Sequence, residues 1–379
     1  MPRLKYPYEF DPEKRRIAKT YRRGRLLIFL FSILLSTSLI LFILSTGYHI
    51  TLKQLVAQYP SQTIFYALTF LFIITIFKFP LTFYSSYIYE HKFKLSRYSI
   101  LSWLKDFVKM TLLGYVISLI LIYFLYTTIR TFSAWWLFAG MLYAIFMTVM
   151  NYIYPLVILP FMWKVEPYKD SRMKQKILKL CRRLGVTSIK NIVVIKESEK
   201  SVRPNAVFMG FGNSRKIGLY DTLLGSFTKD ETETVVGHEL GHYVNRDVWK
   251  GFAIEAILIF PMLFAVDYVV DVSGPAFGIY SIADISSLPL IVLTFGILDF
   301  LLAPIVNAYS RHREAMADEF ALEHVRKPFA QVSTEKRLAD MGLSDSKPHW
   351  LVEFWLFNHP ATFRRIKMAE RWRKKLKNS

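Results

Sequence analysis

Six long apolar runs constrain this chain more than any other feature. A helix needs about 20 mostly apolar residues to cross a bilayer, because its backbone polar groups must be satisfied within the helix where water is absent. Runs of that length cover residues 26–46, 63–83, 111–129, 135–162, 251–272 and 287–309. The sequence therefore predicts a mainly α-helical multi-pass membrane protein with about six spans. The fourth run is long enough to tilt, or to bend at Pro155 and Pro160.

The distribution of charge predicts how these spans are oriented. The chain carries 49 Lys and Arg against 29 Asp and Glu, a formal net charge of +20. Only Lys53, Lys78 and Arg130 lie outside the N-terminal tail, residues 84–110, residues 163–250 and the C-terminal tail, which leaves 46 basic residues in those four segments. Six spans place the four segments on one side, and the positive-inside rule makes that side, with both termini, cytoplasmic.

This topology explains the charge without a nucleic-acid partner, and none is predicted. The membrane is the bacterial cytoplasmic membrane or the endoplasmic reticulum, depending on the host. The first run follows basic residues from Lys14 to Arg25, as in a cleaved signal peptide. A retained span is favoured, because the run exceeds the usual apolar core of about 7–15 residues and no Ala-x-Ala site follows. The single cysteine, Cys181, cannot form an intramolecular disulfide, so no oxidising compartment is needed.

Two water-exposed segments are large enough to fold. In residues 163–250, apolar spacing predicts a helix from Met173 to Leu184, ended by Gly185, and strands at 192–195, 206–209 and 216–220, the last two joined by a turn at Gly210, Gly212 and Asn213. In residues 310–379, helices are predicted at 311–325, 333–341 and 361–376. We therefore divide the chain into four regions, 1–162 with four spans, 163–250, 251–309 with two spans, and 310–379.

A metal-binding motif follows the predicted strands. Thr228 and Glu231 form a capping-box pattern that should start a helix, and that helix carries His238-Glu239-Leu240-Gly241-His242. Histidines four residues apart stand one turn above each other, so both imidazoles can bind one zinc ion, while Glu239 can reach a water molecule on the metal. Zinc polarises a peptide carbonyl, and Glu239 can take a proton and deliver it to the leaving amine.

Catalytic zinc needs three protein ligands and an open position. Glu314 is the best third ligand, because its helix face carries only small side chains apart from two carboxylates. The residues of this face are Glu314, Ala317, Asp318 and Ala321. Gly237 and Gly241 likewise leave one face of the motif helix without side chains, so this face and the face of Glu314 can approach closely. Asp318 can then hydrogen-bond the free nitrogen of a ligand imidazole. Spacing alone leaves competing ligands open, namely His312, Glu319, His324 and His359.

These motifs together resemble those of a known family. The matching residues are 310–318, the 238–242 motif, Asn205-Ala206 followed by Gly210 and residues 221–224, Tyr154-Pro155-Leu156 with Pro160, and Glu90 followed by Phe93. They resemble the CAAX-type prenyl endopeptidases, which are integral-membrane zinc proteases of the gluzincin group that also includes the HtpX-type proteases. The resemblance covers most of the chain from the second span to Arg365.

The resemblance implies roles for particular residues. His238, His242 and Glu314 would bind one zinc ion, Glu239 would be the general base and acid, and Asp318 would support a ligand imidazole. A strand opening at Asn205 and Ala206 would be the edge strand that pairs with an extended substrate. His359 would stabilise the oxyanion, with Arg365 nearby. The partners implied are the lipid bilayer and a polypeptide substrate, which for this family can be a prenylated CAAX tail, a misfolded membrane protein or a chain stalled in a translocon.

The sequence also departs from the family. The prenyl endopeptidases have seven spans around a chamber, whereas six are counted here, and Asn358 replaces the small or hydroxyl residue expected before His359-Pro360. Glu255, Asp267 and Asp299 lie inside predicted spans. Carboxylates are costly in lipid, so we expect them to face a protein interior or a wet cavity, which favours an enclosed chamber.

Two alternative functions remain at this point. A protease that cuts inside spans should carry its zinc motif within an apolar run, but this motif is flanked by charged residues, Lys229, Asp230, Glu231, Glu233, Arg246, Asp247 and Lys250. A non-catalytic scaffold or transporter with a vestigial site should have lost the base or a ligand, and all four residues are present. The sequence therefore favours a small gluzincin-like α+β zinc endopeptidase region on the cytoplasmic side of a helical membrane protein.

Overall fold

The computed structural model describes residues 6–189, 191–209 and 215–378, with side chains as far as residue 376. The first half of the chain is almost entirely helical. Its helices are α1 (Pro12–Ser45), the short α2 (Tyr48–Leu55), α3 (Gln62–Phe83), α4 (Tyr89–Lys92), α5 (Ile100–Thr131), α6 (Trp135–Ile153) and α7 (Leu159–Met162). A π turn at Tyr84–Ile88 joins α3 to α4, and another at Tyr154–Ile158, which contains Pro155, joins α6 to α7.

The second half alternates between a small α+β region and further long helices. It contains β1 (Val165–Pro167), α8 (Ser171–Arg183), β2 (Asn191–Ile195), β3 (Ala206–Met209), β4 (Lys216–Tyr220), α9 (Asp221–Ser226) and α10 (Lys229–Val244). It continues with α11 (Asp247–Ser273), 3-10 turns at Gly274–Phe277 and Ile285–Ser287, α12 (Leu288–Val325), α13 (Pro328–Met341), α14 (Trp350–Leu356) and α15 (Thr362–Asn378). Within the described residues, six helices are long and apolar enough to cross a membrane, as predicted.

The four strands form one sheet in the order β1-β2-β4-β3. β2 and β4 are parallel, whereas β1 and β3 pair antiparallel to their neighbours. β3, which begins at Ala206, is therefore an edge strand, and no strand among the described residues pairs with its outer side. The sheet shares a core with α8 and α10 that includes Ile177, Ile217 and Leu240, all fully buried. A separate core among the spans includes Tyr66, Phe70 and Tyr126.

The predicted helices differ from the observed ones mainly in length. The sixth span and the helix predicted at 311–325 are a single helix of 38 residues, α12. Since no Gly or Pro interrupts residues 305–325, nothing stops the helix where its charged residues begin. The region boundaries at 250 and 309 fall inside α11 and α12, and the division into regions stays a prediction. The turn predicted at Gly210, Gly212 and Asn213 lies outside the described residues, and β1 and α14 were not predicted.

Two of the three carboxylates within the spans line a cavity, and the third is hydrogen-bonded within the protein, as expected. Glu255 and Asp299 line a cavity of about 430 Å³ between α6, α11 and α12. Asp267 accepts a hydrogen bond of 2.9 Å from the indole N–H of Trp135. A neighbouring cavity of about 260 Å³ is lined by Glu255 as well, and also by His242 and Glu314. The two cavities therefore lead from the predicted metal site towards the middle of the spans.

Candidate metal centre

Close packing of α10 on α12 brings the predicted site residues together. α10 starts with the predicted capping box, in which Thr228 Oγ1 accepts from the N–H of Glu231 at 3.3 Å and Glu231 Oε2 accepts from the N–H of Thr228 at 2.7 Å. A Cβ added to Gly241 would lie only 3.0 Å from Cα of Ala317. The helices can approach this closely because both faces carry small residues, and the approach aims both histidines at α12.

Three donor groups converge where the helices meet. Donor atoms of His238, His242 and Glu314 all lie within 4.8 Å of one another. Nε2 of His238 lies 3.1 Å from Nε2 of His242 and 3.2 Å from Oε2 of Glu314, and Nε2 of His242 lies 3.3 Å from Oε1 of Glu314. The three side chains are only 12%, 21% and 10% exposed. Two packed helices thus supply two imidazoles and one carboxylate to a single point.

A carboxylate fixes the outer nitrogen of each imidazole. Nδ1 of His238 lies 2.9 Å from Oδ1 of Asp318, and Nδ1 of His242 lies 2.7 Å from Oδ2 of Asp247. A carboxylate only accepts hydrogen bonds, so each Nδ1 is the protonated nitrogen and donates. The Nε2 lone pairs of both rings therefore point at each other and at Glu314. This arrangement orients both imidazoles for metal binding.

The donor set fits a metal cation. Two lone pairs and a carboxylate at 3.1 to 3.3 Å repel one another unless positive charge lies between them. Oε2 of Glu314 is buried and has no hydrogen-bond partner among the described residues. Burial lowers the pKa of His238, but the carboxylates of Asp318 and Glu314 outweigh burial and raise it to about 10. The surroundings of Nε2 thus favour positive charge, supplied by a proton or by a metal ion.

The other predicted residues line a cavity of about 140 Å³ beside the three donors, which we call the cleft pocket. Glu239 lies in its wall, and burial raises the pKa of this carboxyl. Asn205 and Ala206, where edge strand β3 begins, also line it. His359 also lines the pocket, with Nε2 at 3.2 Å from Oε1 of Glu314.

Arg365 lies in the cleft pocket too, but its guanidinium is held by the protein. Its Nε and Nη2 donate to the two oxygens of Asp318 at 2.6 and 2.5 Å, and its Nη1 lies 3.0 Å from Oε2 of Glu335. Burial lowers the pKa of Arg365, but the two carboxylates outweigh burial and raise it. Arg365 therefore fixes Asp318, which in turn fixes His238. Its predicted contact with substrate stays a prediction.

Three of the four competing ligands lie elsewhere. His312 and Glu319 are exposed on α12. His324 stacks on Phe320 at 4.1 Å between ring centroids and its Nδ1 donates to the carbonyl of Phe320 at 2.9 Å. His359 is close to Glu314, as described above, but its ring nitrogen is not among the group within 4.8 Å.

Sequence reasoning missed two carboxylates, Asp247 and Glu335. Asp247 follows His242 by five residues, beyond the turn between α10 and α11, and is also paired with Arg313 at 3.2 Å. An acidic residue just after the second histidine is a signal that could have suggested it. Glu335 lies on α13, and no local pattern connects it with the site.

Two imidazoles and a carboxylate, with a glutamate directly after the first histidine, define the site class as that of a metalloendopeptidase. Comparison with known proteins agrees. The chain matches the profile of peptidase family M48 over residues 167–373, and a profile described as the CAAX prenyl protease N-terminal region with five membrane helices over residues 5–164. The chain belongs to peptidase family M48 and is a membrane metalloendopeptidase, which confirms the predicted class. Over the N-terminal match, the described residues form four long spans and the short α2.

Individual relatives extend this agreement. An uncharacterized metalloprotease of Bacillus subtilis (strain 168) is 28% identical over 369 residues, which are 95% of this chain and 86% of the relative. A CAAX prenyl protease 1 homolog of Dictyostelium discoideum is 28% identical over 70% of this chain and 64% of its own length. The crystal structure of S. mikatae Ste24p has the same fold, with a TM-score of 0.82 at 22% identity, over 94% of this chain and 88% of that one. Nothing in these matches supports a scaffold or transporter.

Proposed function

We propose that this protein is a zinc endopeptidase that cuts polypeptides at the cytoplasmic face of the membrane. The observation that carries the proposal is the convergence of His238, His242 and Glu314 on one point, with Glu239 in the wall of the adjoining pocket. Two histidines and one glutamate are the ligand set of many catalytic zinc sites, and they leave a position open. Metal analysis of the purified protein identifies the ion.

Each residue of the site has a proposed task. His238, His242 and Glu314 hold the zinc, which supplies Lewis acidity when bound. Glu239 takes a proton from the attacking water and delivers it to the leaving amine. His359 donates to the oxygen of the scissile carbonyl as charge develops there. Asp318 and Asp247 keep both imidazoles in the metal-binding orientation, and Arg365 holds Asp318.

The edge strand β3 is the proposed binding site for the substrate backbone. The unpaired side of β3 offers backbone groups to an extended peptide, and Asn205 and Ala206 bring this strand to the cleft pocket. A peptide paired there passes the metal ligands and Glu239. The substrate is therefore bound by its backbone, and its side chains are selected by the pockets beside the strand.

The proposed orientation and substrate follow from the spans. The basic segments lie at the same end as the metal ligands, so the positive-inside rule makes that end cytoplasmic. The cavities that run from His242 and Glu314 towards Glu255 give a membrane-bound or lipid-modified substrate access. A prenylated C-terminal peptide is the proposed first choice, because several relatives are named CAAX prenyl proteases. Rates on a prenylated peptide and on the same peptide without lipid test this choice.

Replacement of the proposed base tests the mechanism. Glu239→Gln should keep the metal and lower the rate of peptide hydrolysis by about 10²–10⁴-fold, which is the usual contribution of a general base. The matched control is Glu319→Gln, which removes an exposed carboxylate of α12 and should leave the rate unchanged. Hydrolysis at the parent rate by Glu239→Gln, with metal bound, would overturn the assignment.

A further inference from the structure

α14 lies against the part of α12 that forms the sixth span. The indole N–H of Trp355 donates to the carbonyl of Phe300 at 2.9 Å, and the two rings stack with their centroids 5.4 Å apart. This carbonyl is free to accept because Pro304, four residues further on, has no N–H. Phe300 lies about 14 Å along the helix axis from the end of the apolar run at residue 309. The end of α14 therefore reaches the depth of the span.

Two faces of this span differ in their surroundings. Asp299 and Val306 line the cavity between α6, α11 and α12. Leu301 and Ile305 lie on another face and are 57% and 62% exposed. Exposed apolar side chains of a span that are turned away from an internal cavity contact lipid when the protein is in a membrane. The face of Leu301 and Ile305 is therefore the lipid-facing side of the sixth span.

A groove of about 590 Å³ between α12 and α14 continues this lipid-facing side. On α14 it is lined by Trp350 and Phe354. On α12 it is lined by residues that follow Ile305 at intervals of three and four and so continue its face, Ala308, His312 and Ala315. Charged side chains, among them Arg311 and Arg364, also line the groove, as expected where a span meets water. Trp350 and Phe354 therefore lie on the lipid side of α12 and not on its cavity side.

The free face of α14 is apolar and aromatic. Trp350, Leu351 and Phe354 share one face of the helix and are between 41% and 64% exposed. The carbonyl of Trp355, near the C-terminal end of α14, does not depend on water, because Nδ2 of Asn307 donates to it at 2.6 Å. A short helix with an exposed apolar face beside a span is typical of the membrane–water interface, where tryptophan is enriched.

The chain returns from α14 to the metal centre within a few residues. Nη1 of Arg311 donates to the carbonyl of Phe357 at 2.7 Å, and Oε1 of Glu353 accepts from the N–H of Ala361 at 3.1 Å. Between these two fixed points lies His359, with Nε2 at 3.2 Å from Oε1 of Glu314. Because Glu353 belongs to α14, a displacement of α14 also displaces His359.

We propose that α14 is a membrane anchor, and that Trp350, Leu351 and Phe354 insert among the lipid acyl chains of the leaflet next to the metal centre. The anchor holds α14 against the sixth span and, through residues 357–361, keeps His359 beside Glu314. α14 is then a positioning element for His359. The contact with lipid is independent of the proposed function, whereas its effect on the rate rests on the role proposed for His359.

A fluorescent label on the free face of α14 tests the contact with lipid. Leu351→Cys, in a Cys181→Ala background, is labelled with a polarity-sensitive dye and placed in phosphatidylcholine vesicles with or without brominated acyl chains, which quench the dye at short range. Quenching should match that of Leu301→Cys in the span and exceed that of Glu319→Cys, which is exposed on α12 beyond the span, by several-fold. Quenching no stronger than that of Glu319→Cys would overturn the proposal, and cross-links between two copies at position 351 would then assign this face to a protein interface.

Kinetics in vesicles test the effect on His359. Leu351→Asp should lower kcat by about tenfold and leave KM and zinc content unchanged, because an oxyanion donor acts only in the transition state. Leu351→Met, which keeps an apolar side chain, should retain the rate of the parent. In a His359→Ala background, Leu351→Asp should cause no further loss, since both changes remove the same interaction.

Phe329→Asp is the matched control, because it places the same charge on an exposed aromatic position of α13, and it should leave kcat unchanged. A parent-like kcat of Leu351→Asp would overturn the coupling to His359. So would an equal loss in Phe329→Asp, or a full further loss in the His359→Ala background. If the parent showed no zinc-dependent hydrolysis, the proposed function and the coupling would both be overturned, while the labelling result would still decide the contact with lipid.

Discussion

The buried polar groups at the two ends of α10 differ in whether the protein supplies their hydrogen-bond partners. In the first turn, the fully buried carboxylate of Glu231 accepts from the N–H of Thr228 at 2.7 Å, from the hydroxyl of Ser333 at 2.6 Å and from Nε of Arg337 at 3.2 Å. In the last turns, the Nε2 lone pairs of His238 and His242 point at each other and at the carboxylate of Glu314.

The difference separates the residues that stabilise the fold from those that serve the site. A fully satisfied buried carboxylate ties α10 to α13 and stabilises the folded chain, because its removal leaves its donors unpaired. At the second end, the two imidazoles and Glu314 need positive charge between them, and without a metal ion a proton on His238, whose pKa is raised to about 10, supplies it. Changes at the first end should therefore lower stability and leave metal affinity unchanged, whereas changes at the last end should lower metal affinity.

The strongest test removes Glu314. Glu314→Ala should lower metal affinity by more than about 100-fold, which is the upper range for losing a residue that only supports a ligand. Near neutral pH the metal-free protein should also lose some stability, because Glu314 there pairs with a protonated His238, whose pKa is raised to about 10. Metal titration and thermal unfolding in detergent measure both quantities, with Glu319→Ala as the surface control. If Glu314→Ala held metal as tightly as the parent, another residue, with His359 the nearest, would be the third ligand.

The opposite end is tested by Glu231→Ala. Its loss removes the carboxylate that pairs with Arg337 inside the protein and should lower the free energy of unfolding by about 3–5 kcal/mol. The folded fraction should bind metal as the parent does. Denaturation in detergent, with metal content measured on the folded fraction, checks both points, and Glu323→Ala on the exposed face of α12 is the control. A loss of metal affinity without a loss of stability would remove the contrast between the two ends.

Much of the fold could be predicted because the signals are local. A run of about 20 apolar residues identifies a span by itself, and the capping box at Thr228 identifies the start of α10 within one residue. The length of α12 could not be predicted, because a span and a water-exposed helix show different patterns even where the backbone continues from one to the other. The short α14 has too few residues for a periodic pattern.

The site residues also fall into those that a local signal predicts and those that depend on how separate helices pack. The spacing of His238 and His242 is a local helical property, and small residues on two faces already predicted the close contact of α10 with α12. Asp247 and Glu335 escaped prediction because their roles depend on how separate helices pack.

A smaller effect sharpens the comparison at the functional end. Asp247→Asn keeps an acceptor for Nδ1 of His242 but removes the charge, so metal affinity should fall by about 10–100-fold. Asp318→Asn should have the larger effect of the two, because it also weakens the hydrogen bonds that Arg365 donates to this side chain. Metal titration of both variants measures the order. Equal affinity of Asp247→Asn and the parent would show that His242 needs no charged partner.

The smallest expected effect concerns the contact that brings both ends of α10 onto their partners. Alanine is favoured over glycine within a helix by about 1 kcal/mol, but a Cβ at position 241 would meet the backbone of Ala317 at 3.0 Å, which cannot move aside cheaply. Gly241→Ala should therefore destabilise the protein by about 1–2 kcal/mol and weaken metal binding, because α10 is pushed away from Glu314. A Cβ at position 237 would come even closer to Cγ2 of Val325, a β-branched side chain with little rotamer freedom, so Gly237→Ala should also be destabilising, but it displaces a side chain and not the backbone next to Asp318 and should weaken metal binding less. Thermal unfolding and metal titration of the two variants test this expectation. Equal metal affinity of Gly241→Ala and Gly237→Ala would mean that the distance between α10 and α12 at Gly241 does not control metal binding.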